Sequence, residues 1–340
     1  TGSLAFNANN QNVTVGGDML ISANATYTPG TNTTRFNGSR AQTYTNNGAA
    51  NLNNVELVGG STYLTTKTDI RVNGNLTIGE GTTLYDEGKT VTVAGNIYNS
   101  GKHISTGSGS ISMSGSGKTI GGSGNGVFGV LKLTNGNATL AANQRFDGSV
   151  SALRLVSGLL DIGSYRLTLG SNASVFSDNG VGSAFSATKM IKTGGLLSDE
   201  GVVKDYSGRT DADPYPYSFT YPVGFGSSYH SAMLRLNIKP DQLGLVTVKP
   251  VSGAHPLVDA TKSLACYWKT NTTNFLGLNA DWLFNYIPST DIKPTAASET
   301  NYIGAVFKGD RWITDPSVVT VDKTNHNVTS TNQPQIEGEY

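Results

Sequence analysis

Side chains suited to acid–base, metal or nucleophilic chemistry are sparse in this chain of 340 residues, which has 24 Asp and Glu, 4 His and 1 Cys. Hydrolases and lyases that cleave polysaccharides need two or three carboxylates, or a basic residue with Ca²⁺-binding aspartates, on one outer face. Asp86 and Glu87 form the only early adjacent acidic pair. Adjacent residues of a strand face opposite sides, so this pair indicates a turn. The pattern disfavours an enzyme, and we predict no catalytic residues.

The histidines have no spacing typical of a metal motif. We interpret each as a surface or loop residue: His103, His230, His255 and His326.

The segment Asp211-Ala-Asp213-Pro has the Asp-x-Asp pattern of a Ca²⁺-binding loop. Asp-x-Asp loops between extracellular domains supply carboxylate oxygens, which Ca²⁺ prefers. Asp211 and Asp213 are therefore candidate Ca²⁺ ligands, and the alternative is a solvated linker that binds no ion. We expect no other cofactor.

The single cysteine, Cys266, excludes an internal disulfide framework. It stands beside Tyr267 and Trp268 in an apolar segment, so we expect burial rather than pairing with another chain.

Exposed aromatic side chains are the platforms on which proteins bind sugars, and the chain has three tryptophans. Trp268 and Trp282 lie in apolar strands and are expected in the core. Trp312 follows the polar segment Gly309-Asp-Arg311, so it is the candidate ligand-binding residue.

The formal net charge is zero and charged residues make up 14% of the chain. Nucleic-acid and anionic-membrane binders need clustered Lys and Arg, so both classes are disfavoured. No apolar run approaches the length of a membrane span, so we predict no membrane insertion. The opening residues do not resemble a signal peptide, and we interpret the chain as mature protein or a piece of a longer one.

Composition changes along the chain: 34 of 42 glycines precede residue 214, and ten of eleven prolines lie at or after it. Such a shift indicates two differently built regions. We predict a β-solenoid over residues 1–205, a linker over 206–217 and a β-sandwich over 218–340.

The first region repeats a short apolar–polar alternation that ends in Gly, with a period of about 20 residues. Three pairs of segments match at offsets of 78, 76 and 74 residues, which suggests a superrepeat of roughly 76 residues. Such periods in Gly/Asn/Thr-rich β sequence favour a parallel β-solenoid. A sandwich of hairpins is the alternative, since Asn47-Gly48, Asn73-Gly74 and Asp147-Gly148 are hairpin-type turns.

The second region has longer strands, clustered aromatics and polar turns, which favour an antiparallel β-sandwich. The predicted fold class is therefore all-β: a parallel β-solenoid (β-helix) followed by an antiparallel β-sandwich.

Several segments in order carry a resemblance to a family: residues 158–170 with short Gly-ended strands, Phe219-Thr-Tyr-Pro-Val-Gly224, Tyr267-Trp268, Asn301-Tyr-Ile-Gly-Ala and Ile336-Glu-Gly-Glu-Tyr340. The chain resembles the repetitive surface proteins of Bacteroidota that the type IX secretion system exports, which include the giant gliding adhesins. The resemblance implies an extracellular or cell-surface location. These motifs are structural, and the secretion-signal domain usual in this family is not recognisable here.

The leading functional hypothesis is a structural and adhesive module: a stiff stalk with weak, multivalent binding. Its partners would be neighbouring domains of the same long chain, identical subunits or surface polysaccharide. A secreted carbohydrate-binding protein and a self-assembling filament subunit are the alternatives.

Overall fold

A computed structural model describes residues 5–59, 62–148, 152–177, 185–210 and 213–340. The chain folds into two compact units. The first unit comprises Thr1–Asp161 and Asn172–Ser183, and the second comprises Ile162–Ser171 and Ala184–Tyr340. This division differs from the predicted boundary, since the strand Gly201–Asp205 belongs to the second unit. No helix among the described residues is long and apolar enough to span a membrane.

The fold class is all-β, as predicted, and the first unit is built as a parallel β-solenoid. Most coils contribute short strands to three parallel sheets. The first sheet contains Val13–Val15, Thr33–Phe36, Asn54–Leu57, Leu76–Ile78, Ile97–Asn99, Lys118–Gly121, Ala138–Leu140 and Leu160–Gly163. The second contains Met19–Ile21, Ala41–Asn46, Tyr63–Thr66, Thr83–Tyr85, Lys102–Ile104, Val127–Phe128 and Gln144–Phe146. The third contains Ile70–Val72, Thr90–Val93, Ser110–Met113, Leu131–Leu133, Leu153–Leu155 and Val175–Phe176. Ala5–Asn7 pairs separately with Thr26–Thr28.

Register partners on the first sheet keep one spacing from Val13 to Ile97, whereas partners on the second sheet are 18 to 25 residues apart. Val55 pairs with Leu76, which pairs with Ile97, so successive partners are 21 residues apart. The predicted superrepeat has no structural counterpart in this register. Its matched segments Val13–Val15 and Thr90–Val93 lie on the first and third sheets, because an offset near 76 falls between three and four coils.

The interior of the solenoid consists of apolar columns. Val72, Val93, Met113, Leu133 and Leu155 are register partners on the third sheet and are all buried. Each buried side chain of this kind contributes about 1.5–3 kcal/mol, and no coil could bury its apolar face alone.

Asparagine side chains join the coils at the turn before the first sheet. Asn54 Oδ1 accepts the N–H of Asn75 at 2.9 Å, and Asn75 Oδ1 accepts the N–H of Asn96 at 2.8 Å. Asn96 Oδ1 accepts the N–H of Thr119 in turn. The ladder satisfies backbone donors that the turn leaves out of the sheets.

The second unit is mainly antiparallel. A five-stranded sheet contains, in spatial order, Tyr217–Tyr221, Ala232–Leu236, Ala280–Asn285, Asn327–Gln333 and Val319–Asp322. A second set of strands runs Arg166–Leu169, Gly201–Asp205, Leu245–Ser252, Cys266–Thr273, Gly338–Glu339, Val306–Lys308 and Arg311–Ile313. Ile191–Thr193 pairs with Val223–Phe225, which pairs with Ser228–Tyr229. One short helix, Pro288–Asp291, and a 3₁₀ segment, Ala296–Asn301, complete the described elements of this unit.

The core of the second unit is aromatic. Trp268, Trp282 and Phe284 are buried, and the indole N–H of Trp282 donates to the carbonyl of Ile336 at 3.0 Å. The expected core placement of Trp268 and Trp282 is confirmed.

Candidate functional site

A cavity of about 550 Å³ in the second unit is a candidate binding site. We call it the aromatic cavity, and its lining residues are His255, Leu257, Val258, Asp259, Lys262, Ser263, Leu264, Cys266, Tyr267, Tyr286, Asn301, Tyr302, Ile303, Gly304, Ala305, Trp312, Thr314, Val321, Val328 and Tyr340. Its volume is typical of a small-molecule site.

The aromatic cavity reaches from the surface into the sandwich. Leu257 and Ile303 are 62% and 71% exposed, whereas Val328 and Tyr340 are buried. Two loops, 253–265 and 302–305, supply much of the lining. The first loop connects two strands, and the second joins the 3₁₀ segment Ala296–Asn301 to the strand Val306–Lys308, so regular elements position an opening that is apolar at its rim.

Trp312, the tryptophan predicted to bind ligand, lines this cavity on the hairpin of Val306–Lys308 and Arg311–Ile313. Its ring centroid lies 4.8 Å from that of His255 and 5.3 Å from that of Phe307. These edge-to-face and tilted contacts fix the indole as part of the cavity wall.

His255 is held in one orientation by two hydrogen bonds. Its Nδ1 accepts the N–H of Leu257 at 3.2 Å, so Nε2 carries the proton donated to Glu339 Oε2, 2.8 Å away. Its ring also packs edge-on against Tyr267, with centroids 5.1 Å apart. His255 therefore shapes the cavity wall and has both nitrogens engaged.

A second cluster lies among buried residues of the same unit. The metal-binding atoms of His230, Cys266 and Asp291 all lie within 4.8 Å of one another. Nitrogen, sulfur and oxygen donors together would suit a first-row transition metal. A bound metal requires a thiolate, and a ligating histidine normally donates its other N–H to an acceptor.

The cluster fits a hydrogen-bonded network better than a metal centre. His230 Nε2 lies 3.0 Å from Asp291 Oδ2, which also accepts the N–H of Ile287, and His230 Nδ1 has no hydrogen-bond partner. Burial raises the pKa of Cys266 well above its ordinary value, and the Asp291 carboxylate raises it further. The protonated thiol and the imidazole thus both face one carboxylate.

The structure describes one of the two candidate Ca²⁺ ligands, Asp213. Asp211 lies outside the described residues. Asp213 Oδ2 accepts the N–H of Thr210 at 2.6 Å, and its other oxygen lies 4.0 Å from Arg209.

The interpretation of the histidines as surface or loop residues is wrong for His103, which is buried in the strand Lys102–Ile104, whereas His230 and His255 lie in loops between strands. His103, His230 and His255 are buried, and each faces a carboxylate. A single sequence gives no signal for this, because the partners Asp86, Asp291 and Glu339 lie 17, 61 and 84 residues away.

The expected burial of Cys266 is confirmed. Asp86 and Glu87 stand at a turn, as predicted, with Glu87 at a φ of 45°.

Comparison with protein-family models, curated proteins and solved structures finds no match for this chain.

Proposed function

We propose that this chain is a structural and adhesive module of a large bacterial cell-surface or extracellular filament protein. In this proposal the solenoid is a stiff stalk, and the second unit carries the contact site. The observation that supports it most directly is the continuous parallel pairing of the solenoid, in which the backbone of each coil pairs with the coil before and after it, at a 21-residue spacing along the first sheet from Val13 to Ile97. Parallel pairing, buried apolar columns and the asparagine ladder all resist bending of the stack.

Adhesion by such a protein would be multivalent. Many copies of a weak site on one polymer bind a surface far more strongly than one site does, because the later contacts are intramolecular. The aromatic cavity is the surface that favours binding over a purely mechanical role. The resemblance to the repetitive surface proteins of Bacteroidota implies that this module is exported by the type IX secretion system and takes part in gliding motility.

The intact mass of the native protein under denaturing conditions tests the proposal. We expect a polypeptide many times 35.6 kDa that is removed from intact source cells by external protease. A native mass near 35.6 kDa would instead support a self-assembling subunit or a free secreted protein.

Single-molecule stretching tests the mechanical part. Release of one coil frees 21 residues, or about 7 nm of extended chain, so we expect force peaks at that spacing. Unfolding of the first unit in one unresolved step would contradict coil-by-coil resistance.

A further inference from the structure

We propose that the aromatic cavity binds a neutral sugar residue of a polysaccharide. This inference rests on the proposed adhesive function and names the chemistry of its contact site.

Two polar atoms in residues that line the cavity lack protein partners. The indole Nε1 of Trp312 and the hydroxyl Oγ of Ser263 are both buried, and neither has a hydrogen-bond partner in the protein. Unpaired buried polar atoms are costly and rare in native proteins, and a ligand that reaches these two would complete their bonding. An indole N–H can only donate, whereas a hydroxyl can donate and accept, so the ligand must offer at least one acceptor.

The charges around the cavity are already neutralised. Asp259 and Lys262 form an ion pair at 3.5 Å, and His255 donates to Glu339. A charged ligand would need an opposite charge that is free to meet it, and the lining offers none among its described residues. A neutral ligand is therefore favoured.

The rest of the lining has a face suited to sugar C–H groups. Trp312, Tyr267, Tyr302 and Tyr286 contribute aromatic rings, and the volume of about 550 Å³ accommodates one or two sugar rings. A sugar residue presents an apolar face of C–H groups and a rim of hydroxyls. Among neutral ligands this combination matches both the aromatic rings and the two unpartnered polar atoms.

Saturation-transfer NMR on the full chain tests the assignment with glucose, galactose, mannose, N-acetylglucosamine, maltose and cellobiose as probes. We expect at least one of them to bind. Trp312→Phe keeps an aromatic ring and removes the N–H, and Ser263→Ala removes the hydroxyl. Each substitution is expected to weaken binding about tenfold, which corresponds to the loss of one hydrogen bond. Ser227→Ala, which removes an exposed hydroxyl outside the lining, is the matched control and should bind as the parent does.

Stability measurements separate lost binding from lost folding. Neither Trp312→Phe nor Ser263→Ala removes a hydrogen bond within the protein, so both should keep the parent melting temperature. If either fails to fold, Ile303→Arg replaces it, because Ile303 is 71% exposed and a longer side chain there obstructs the cavity without disturbing the core.

Three results would overturn the sugar assignment: no probe binds, binding survives all these variants, or laurate occupies the cavity while the sugars do not. The proposed adhesive function is judged separately by native mass and force spectroscopy. A large surface-exposed chain without sugar binding would remove only the assignment of this cavity.

Discussion

His103 and Asp86 face each other inside the solenoid, with Nε2 of the imidazole 3.2 Å from Oδ2 of the carboxylate and both side chains fully buried. His103 occupies the inward column of the second sheet, next to its register partner Leu84. A polar side chain in an apolar column requires a partner, and the turn after Thr83–Tyr85 places Asp86 within reach.

The Asp86 carboxylate is expected to make stability depend on pH. Burial acts to raise its pKa, but hydrogen bonds from His103, Ser105 and the N–H groups of Thr106 and Gly88 outweigh burial and hold the pKa below the ordinary 3.8. A lowered folded-state pKa stabilises the fold above the unfolded-state value, and this contribution is lost as pH falls through the folded-state pKa.

Urea unfolding of Asp86→Asn at several pH values measures this contribution. We expect a loss of about 1–3 kcal/mol at pH 7 that shrinks below about pH 4. Glu80→Gln changes an exposed acid in the same unit and should show a small, nearly constant difference. An Asp86→Asn deficit that is equal at pH 7 and pH 3 would contradict the ionic origin.

Gly95 is predicted to tolerate no side chain. A Cβ at this position would lie 2.3 Å from the carbonyl oxygen of Gly74 on the neighbouring coil, and a backbone atom cannot move aside cheaply. Gly95→Ala should lower the free energy of unfolding by about 3 kcal/mol. Gly17→Ala is the control, since its Cβ would meet nothing within 4 Å, and a comparable loss there would show that the contact between coils is not the cause.

The asparagine ladder is expected to contribute through its side-chain oxygens. Asn75→Ala removes the acceptor for the N–H of Asn96 and should cost about 1 kcal/mol by chemical denaturation. Asn75→Asp keeps an acceptor oxygen at the same place and should cost less. Equal losses in the two variants would mean that the amide N–H₂ group carries the effect.

The thiol of Cys266 is expected to be inert in the native protein. It is buried, and burial together with the Asp291 carboxylate raises its pKa well above the ordinary value, so almost no thiolate is present at pH 8. Ellman's reagent should titrate no thiol in the folded chain and one per chain in guanidinium. Rapid native-state reaction would show that the cluster with His230 opens readily.

The solenoid was predictable because apolar and polar residues alternate along its strands and glycine recurs after them at a period of about 20 residues. Burial in Leu131–Leu133 follows the sequence alternation directly, with Lys132 less buried than its two neighbours. The superrepeat was misleading because short Val- and Thr-rich strands resemble one another whichever sheet they join, so sequence matches do not identify the sheet.

Strands with few apolar residues, and sites whose walls are formed by loops, could not be predicted from a single sequence. The strand Asn327–Gln333 has one buried apolar residue, Val328, and is specified by its pairing with Ala280–Asn285. Residues 302–305 form a loop that lines the aromatic cavity. Trp312 could be identified as a candidate because it is a tryptophan, but Ser263 and Ile303 join it in the cavity lining only through tertiary folding.

The 21-residue spacing along the first sheet from Val13 to Ile97 makes this stretch of the first unit adjustable at the level of its gene. Asn75 and Asn96 occupy the same place in successive coils, so an in-frame duplication or deletion of the codons between them joins equivalent backbone positions. Each such event would lengthen or shorten the stack by about 4.8 Å, the spacing of neighbouring strands. The length of the solenoid can therefore evolve, or be engineered, in discrete steps without redesign of the strands on either side.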